Sequence, residues 1–201
     1  MISAVILAGG DSARMGRPKA LLKYRGDLFI DKICSDLRAS GVDDRVAVLG
    51  TAAPLILETW RPRGEKIAVN KRPSDGQLSS LRTGLREISA GSEACMVCLC
   101  DQPTVKSGTY AEIIEAWRLN SGKIIIPRVP RPDRKAGEPE FKRGHPIIIP
   151  FCFYPLCFSG PLDKGLHWVT HHKGVGIYDL DVSDGGVIRD FDTPGDYAAI
   201  E

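Results

Sequence analysis

The sequence has no large excess of either charge and no apolar run long enough to cross a membrane. Lysine and arginine number 27 against 25 aspartates and glutamates, so charge alone implies neither a nucleic-acid nor a membrane partner. No basic segment precedes the first apolar run, which stops at Gly9. We therefore expect that run to be a strand rather than a signal peptide, in a cytoplasmic protein.

Cysteine forms only a loose metal-binding pattern. The six cysteines include two pairs with approximately zinc-like spacing, Cys95 with Cys98 and Cys152 with Cys157. The first pair lies in an apolar run typical of a central strand, where successive side chains point to opposite faces and a free cysteine packs as a small hydrophobe. We therefore expect reduced thiols and no zinc site.

Length and composition are those of an ordinary globular protein. The 201 residues are 43% hydrophobic and 26% charged, and we expect one domain over 1–201. Apolar strand-like runs alternate with helix-period segments, which predicts an α/β fold with a largely parallel sheet. The predicted strands are 4–8, 45–49, 66–69, 95–100, 124–126, 147–149 and 175–182. The predicted helices are one capped by Asp27 and ended by Gly41, then 54–60, 76–88, 110–117 and 166–171.

Residues 128–143 interrupt this alternation. They contain three prolines, one glycine, six basic residues and three acidic residues. This composition predicts a long loop, and such loops in compact domains are usually lids or insertions. The cations suggest a site for an anionic ligand, with a solvated charged loop as the alternative.

Residues 2–19, ISAVILAGGDSARMGRPK, join a strand to a glycine turn and a cluster of cations. Gly9 and Gly10 leave no side chain in a ligand's way. Arg14, Arg17 and Lys19 follow within a few positions. Such a turn can bind a polyphosphate through its N–H groups and cations, and the alternative is a tight surface turn followed by solvated charge.

The ordered string LAGGxSxRMGxPK resembles the signature loop of nucleotidyltransferases, in particular the MobA-like branch that attaches a nucleotide to molybdopterin. The resemblance implies a three-layer Rossmann-like nucleotidyltransferase fold with a mostly parallel central sheet. It implies a catalytic Lys19 on the α-phosphate and a catalytic Arg14 directed toward the β- and γ-phosphates. The nucleotide-binding residues implied in this loop are Leu7, Ala8, Gly9, Gly10, Arg14 and Lys19.

Asp101 directly follows a predicted strand, and ligands of open α/β sheets bind at the carboxyl ends of strands. The alternative is an aspartate that caps the next turn. The string LCDQP resembles the metal-binding Asp-x-Pro of the MobA-like family. By this resemblance Asp101 is a catalytic residue that holds Mg²⁺ against the nucleotide phosphates.

A second acidic cluster, DFDTPGD, lies at residues 190–196 and resembles the DIDTPED element of molybdenum cofactor cytidylyltransferases. Gly195 replaces the usual glutamate. The resemblance implies that Asp192 is the second metal ligand, since Mg²⁺ prefers oxygen ligands from one or two carboxylates, phosphates and water. The alternative is that Asp192 or Thr193 caps a C-terminal helix, and both roles are compatible.

Two further elements resemble substrate-binding segments of the family. In the segment 70–84 the Gly-x-x-x-Ser-Leu element implies base contacts from Gly76 and Ser80, the alternative being a helix capped by Ser74 or Asp75. The resemblance also implies an acceptor site, formed by Gly144, His145 and Pro146. Finally, His167 stands where relatives often carry a phosphate-binding arginine.

The resemblance implies a Mg²⁺-dependent transfer of CMP from CTP to the terminal phosphate of molybdopterin or molybdenum cofactor, with release of pyrophosphate. A molybdoenzyme or its chaperone is a further expected partner. GTP remains the alternative nucleotide, because Gly9 matches the guanylyl branch, while Asp-Gln-Pro, Gly-His-Pro and D-x-D-T-P match the cytidylyl branch. A cytidylyltransferase for another small phosphorylated acceptor and a non-enzymatic carrier are the remaining alternatives.

Overall fold

An eight-stranded sheet forms the centre of the computed structural model, which describes residues 1–10, 12, 14–131, 134–135 and 137–199. The strands are β1 (Ile2–Ala8), β2 (Lys23–Tyr24), β3 (Asp27–Leu28), β4 (Asp44–Leu49), β5 (Lys66–Val69), β6 (Ala94–Leu99), β7 (Ile124–Pro130), β8 (Phe141–Arg143), β9 (Ile147–Pro150) and β10 (Ile177–Asp181). The helices are α1 (Phe29–Ala39), α2 (Ala53–Thr59), α3 (Gln77–Leu85), α4 (Ser107–Leu119), α5 (Tyr154–Ser159), α6 (Gly165–Thr170) and α7 (Pro194–Ala198).

The strand order is β10-β7-β9-β6-β1-β4-β5. The eighth strand, β8, is outside this order and pairs with β7. β1 is parallel to β4 and β6, β4 to β5, and β10 to β7, whereas β9 is antiparallel to both of its neighbours. β2 and β3 form a separate hairpin. The prediction of an α/β fold with a mostly parallel central sheet is confirmed. The carboxyl ends of β1, β6, β7 and β10 consequently lie along one edge of the sheet.

Helices cover both faces of this sheet because the strand side chains alternate between two apolar clusters. Ala4 and Ile6 of β1 pack with α1, α2 and α4, whereas Val5 packs with α3, α5 and α6. Cys95 and Cys98 of β6 likewise belong to opposite clusters. Burial raises the pKa of both thiols. They therefore behave as core residues and do not converge on one metal ion.

The predicted helix cap at Asp27 is wrong, and the alternative of a cap at Ser74 or Asp75 does not occur either. Asp27 does not cap α1, because it pairs with Tyr24 in the β2–β3 hairpin and the helix begins after Leu28. Neither Ser74 nor Asp75 caps α3, whose N-cap is Gly76 with φ of +91° and no side-chain cap. α3 is also shorter than the predicted 76–88. A glycine in this left-handed conformation starts the helix without steric cost.

Residues 128–143, predicted as a loop throughout, contain the end of β7 and all of β8, and only 131–140 connect the two strands. Pro132, Asp133 and Ala136 of the connection lie outside the described residues. Two arginines are tolerated in these strands because aspartates of β10 neutralise their charge. Arg128 Nε lies 2.5 Å from Asp181 Oδ1, and Arg143 Nε lies 2.6 Å from Asp179 Oδ1.

β8 and β9 form a single course antiparallel to β7, interrupted at Gly144–Pro146. The Gly144 N–H donates to the Pro127 carbonyl at 2.8 Å, and the His145 N–H donates to the Val187 carbonyl at 2.9 Å. A Cβ on Gly144 would lie 2.0 Å from the Val187 carbonyl oxygen, so only glycine fits. The His145 N–H thus pairs outside the β7 ladder, which breaks the regular pairing as a β-bulge does.

Candidate functional site

A cavity of about 290 Å³ opens at the carboxyl ends of β1 and β6. Open α/β sheets bind ligands at this position, because the loops that follow parallel strands meet there. The lining residues come from the glycine loop, the turn after β6 and the segment before α7. They are Leu7, Ala8, Gly10, Ser12, Arg14, Pro18, Lys19, Ala20, Cys100, Asp101 and Asp192.

Lys19, Asp101 and Asp192 meet in this cavity although they are far apart in the chain. Lys19 Nζ lies 2.9 Å from Asp101 Oδ2 and also contacts Asp192 Oδ1. Partial burial acts to lower the pKa of Lys19, but the hydrogen bond to Asp192 and the charge of Asp101 raise it above its ordinary value. The site therefore pairs two carboxylates with one stable ammonium.

The two carboxylates fit the donor set of a divalent cation that prefers oxygen ligands. Asp101 and Asp192 converge on one point, where the Lys19 ammonium now supplies the positive charge. No group of three or more His, Cys, Asp or Glu side chains with metal-binding geometry occurs among the described residues. The remaining ligands of an ion held here would therefore be phosphate oxygens and water.

Hydrogen bonds between the two acidic segments fix the separation of these carboxylates. The Phe191 N–H donates to the Asp101 carbonyl at 3.1 Å, and Gln102 Nε2 donates to Asp190 Oδ1 at 2.7 Å. Gln102 is buried. Sequence reasoning did not assign Gln102 a role, because its partner lies 88 positions away.

The alternative of a helix cap at this segment is also present. Thr193 caps α7, and it forms a capping box with the Asp196 carboxylate. The Asp192 N–H donates to Asp196 Oδ2 at 3.2 Å. The start of α7 thus anchors the backbone of Asp192 and leaves its carboxylate available to the cavity.

The glycine loop reaches the same cavity. Ser12 Oγ accepts the Lys19 N–H at 3.1 Å, which closes the loop upon itself. Arg14 is exposed at the cavity mouth, while Leu7, Ala8 and Gly10 line its wall. Asp11, the polar residue after Gly10, lies outside the described residues.

Of the two residues predicted to contact the base, Ser80 lies beside Gly9, and neither Ser80 nor Gly76 lines the cavity. Gly9 and Gly50 approach so closely that a Cβ on Gly50 would lie 2.3 Å from the Gly9 carbonyl oxygen. A Cβ on Gly9 would lie 3.3 Å from Ser80 Oγ. Gly76 is one helical turn before Ser80, whose N–H donates to the Gly76 carbonyl at 3.4 Å. The fold therefore places Ser80 against Gly9, with Gly76 one helical turn before Ser80.

Asn70 is a further polar residue at this end of the site. It is buried directly after β5, and its Nδ2 donates to Ser79 Oγ at 3.1 Å and to Ser80 Oγ at 3.0 Å. Its position immediately after a predicted strand is the same signal that identified Asp101. Sequence reasoning quoted the segment 70–84 but did not single out Asn70.

The residues predicted to bind the acceptor lie beside the cavity and do not line it. His145 Nε2 is buried without a hydrogen-bond partner among the described residues. Burial lowers the pKa of His145 to about 4, and the charge of Asp101 opposes this effect. His167, in α6, stacks on His171 with 3.7 Å between ring centroids. No described contact joins His167 to the cavity.

Comparison with known proteins identifies this architecture. The model of the MobA-like NTP transferase domain matches residues 4–174. The chain is 28% identical over 200 residues to nicotine blue oxidoreductase of Paenarthrobacter nicotinovorans, covering 96% of this chain and 92% of that protein. It is 25% identical over 215 residues to a probable molybdenum cofactor guanylyltransferase of Trichormus variabilis, covering 100% of this chain and 90% of that protein.

Among solved structures, Rv0371c of Mycobacterium tuberculosis H37Rv superposes with a TM-score of 0.84 at 28% identity, covering 99% of this chain and 96% of that one. The manganese complex of Rv0371c superposes with a TM-score of 0.79 at 27% identity, covering 99% and 97%. Separately, no helix in the described part of the chain has the length and apolar character needed to cross a membrane.

Proposed function

This chain belongs to the MobA-like NTP transferase family, and we propose that it transfers CMP from CTP to the terminal phosphate of a molybdopterin-type acceptor, releasing pyrophosphate. The observation that carries the proposal is the convergence of Asp101 and Asp192 on Lys19 at the mouth of the glycine loop. This arrangement can hold a triphosphate and its counter-ion together, which is the main requirement of nucleotidyl transfer.

The reaction asks for alignment and charge neutralisation rather than covalent catalysis. An acceptor phosphate oxygen attacks the α-phosphorus in line, and pyrophosphate leaves. Lys19 supplies a compact positive charge to the α-phosphate, and Arg14 supplies a bidentate fork to the β- and γ-phosphates. An ionised phosphate acceptor needs no general base.

Asp101 and Asp192 would hold the divalent cation, which we propose to be Mg²⁺. When bound, the ion would supply positive charge that stabilises the leaving pyrophosphate. The oxygen-only donor set supports this assignment, and so does the manganese complex of the related Rv0371c. Gly144, His145 and Pro146, beside the cavity, would form the acceptor side of the site.

CTP is the proposed nucleotide, and GTP is the second candidate. The elements Asp-Gln-Pro, Gly-His-Pro and D-x-D-T-P support CTP through their resemblance to the cytidylyl branch. Gly9, where that branch has alanine, favours GTP, and relatives such as the Trichormus variabilis protein are named guanylyltransferases. The acceptor, its delivery to a molybdoenzyme or chaperone, and a cytoplasmic location belong to the same proposal.

Thermal-shift measurements with CTP and GTP, each with and without Mg²⁺, test nucleotide choice and metal dependence together. We expect the largest increase in Tm with CTP and Mg²⁺, because a ligand that binds only the folded state stabilises it. Pyrophosphate release in the presence of molybdopterin then tests transfer. A larger Tm increase with GTP would replace CTP by GTP, and no Mg²⁺-dependent response to either nucleotide would refute the proposal.

A further inference from the structure

The side-chain amide of Asn70 has only one orientation that satisfies its neighbours. The Arg72 N–H donates to Asn70 Oδ1 at 2.9 Å. A backbone N–H can only donate, so the atom that it contacts must be the amide oxygen and the NH₂ group must point the other way. The two hydrogens of this NH₂ group are therefore directed at Ser79 and Ser80.

Both serine hydroxyls accept a hydrogen bond from Asn70, but their own protons have different environments. Ser79 Oγ lies 3.4 Å from both Asn70 Oδ1 and the Arg72 carbonyl oxygen, so its proton has acceptors nearby. The Ser80 hydroxyl donates to no acceptor among the described residues, although Ser80 is buried. A buried donor without an acceptor is costly, which favours a ligand that supplies one.

The Ser80 hydroxyl lies next to the glycine loop. Ser80 Oγ would be 3.3 Å from a Cβ on Gly9, so the missing side chain at Gly9 leaves the hydroxyl in direct proximity to the loop backbone. We propose that Asn70 is a positioning residue that makes the Ser80 hydroxyl a hydrogen-bond donor to an acceptor atom of the nucleotide base. This inference rests on the proposed function, because it assigns a base to this end of the site.

The proposal restricts which edge of a base meets Ser80. For CTP the partner atom is O2 or N3 of cytosine, and for GTP it is O6 or N7 of guanine, since all four are acceptors. The amino group of cytosine and the N1–H and amino group of guanine are donors and cannot accept the Ser80 proton. A base that presented only a donor at this point would leave the buried Ser80 proton without an acceptor.

The Asn70→Asp substitution reverses the polarity with little change in shape. The introduced carboxylate still accepts the Arg72 N–H, but its second oxygen accepts the Ser80 proton instead of donating to Ser80. We expect the Kd of the preferred nucleotide, measured by calorimetry with Mg²⁺, to rise about 10-fold, and KM to rise with little change in kcat. Ser80→Ala should raise Kd similarly, and it leaves the Asn70–Arg72 bond intact if Asn70→Asp impairs folding.

Three controls separate hydrogen-bond polarity from charge and from general disruption. Inorganic triphosphate has no base, so its Kd should be the same for wild type and Asn70→Asp. Ser79→Ala removes the other hydroxyl bound by the same amide and should leave nucleotide Kd unchanged. In the Ser80→Ala background, Asn70→Asp should add less than about a 2-fold effect, because the hydroxyl that it reorients is gone.

The outcomes separate this inference from the proposed function. If wild type binds CTP or GTP but Ser80→Ala binds it equally well, the inference is wrong while the proposed function stands. The same holds if Asn70→Asp weakens triphosphate and nucleotide equally, or if its effect persists in full in the Ser80→Ala background. If wild type binds neither nucleotide, both ideas fail.

Discussion

The two ends of the candidate site are built on different physical principles. At the proposed phosphate end, Lys19, Asp101 and Asp192 are charged, and their side chains are 18%, 25% and 50% exposed. At the proposed base end, Asn70 and Ser80 are neutral and buried. Solvent-accessible charges can exchange partners when a charged substrate arrives, whereas a buried hydrogen-bond network keeps one geometry.

Because of this difference, we expect the charged residues to control the rate of transfer and the buried neutral residues to control which nucleotide is used. Charges placed where negative charge develops stabilise a transition state for any nucleoside triphosphate. Hydrogen-bond polarity distinguishes one base from another, because a mismatched donor or acceptor remains unpaired. Substitutions at the phosphate end should therefore lower turnover with every nucleotide, and substitutions at the base end should change which nucleotide is used.

The largest effect is expected from Asp101→Ala. Loss of this carboxylate removes one of the two proposed metal ligands, and we expect metal-dependent turnover to fall about 10³-fold with CTP and GTP alike. Pyrophosphate release measures turnover, and circular dichroism checks that the fold is retained. Undiminished turnover would remove Asp101 from the mechanism.

His145 lies near Asp101 but is buried, so the pH dependence of stability shows whether burial or the nearby charge dominates its pKa. Its pKa of about 4 is below the unfolded value of about 6.5, so the unfolded state binds more protons between these pH values. The free energy of unfolding should therefore fall by up to about 3 kcal/mol on acidification from about pH 6.5 to 4. Urea titrations should show a shallower dependence for His145→Gln, and an unchanged pH dependence would contradict this assignment.

Lys19→Ala should cost at least about 2 kcal/mol in kcat/KM, again with either nucleotide, because it removes the charge proposed to face the α-phosphate. Lys23→Ala is a matched control, since Lys23 is an exposed lysine on the same segment. Steady-state kinetics compare the two variants. Equal kcat/KM values would show that Lys19 only pairs the acids.

Gln102→Ala should raise the Mg²⁺ concentration for half-maximal activity about 10-fold, because the bond to Asp190 that holds the two acidic segments together is lost. Asp190→Asn should have little effect, since its amide oxygen can still accept from Gln102. Metal titration by calorimetry in the presence of nucleotide gives a second readout. An effect of Asp190→Asn as large as that of Gln102→Ala would argue against this bond as the cause.

The smallest effect is expected from Gly9→Ala, and it should be confined to selectivity. The added methyl would lie 3.3 Å from Ser80 Oγ and 3.5 Å from the Gly50 nitrogen, which narrows the base end. We expect the ratio of kcat/KM values for CTP and GTP to move a few-fold toward CTP. A constant ratio would discard the idea that this position governs nucleotide choice.

The sequence predicted the charged residues that meet in the cavity better than the neutral, buried residues beside it. Asp101 could be located because a carboxylate directly after an apolar strand lies at the ligand-binding edge of the sheet, and the motifs named Lys19 and Asp192. The orientation of Asn70 could not be predicted, because it depends on the Arg72 N–H and on two serines of another element.

The errors in the fold have the same origin. The interpretation of 128–143 as a loop failed at both ends because charge and proline content were weighed without the partner strand. Asp179 and Asp181 of β10 neutralise Arg143 and Arg128. Asp27 failed as a helix cap because the hairpin pairing with Tyr24 cannot be inferred from a two-residue strand.

The contact between Gly9 and Gly50 limits how a site of this kind can be altered. Any side chain at position 50 would collide with the backbone of position 9, not with another movable side chain. Mutagenesis aimed at new nucleotides can therefore vary Gly9, Asn70 and Ser80 together, but Gly50 must remain glycine. Gly50 therefore sets the spacing between the loop that contains Gly9 and the loop that follows β4.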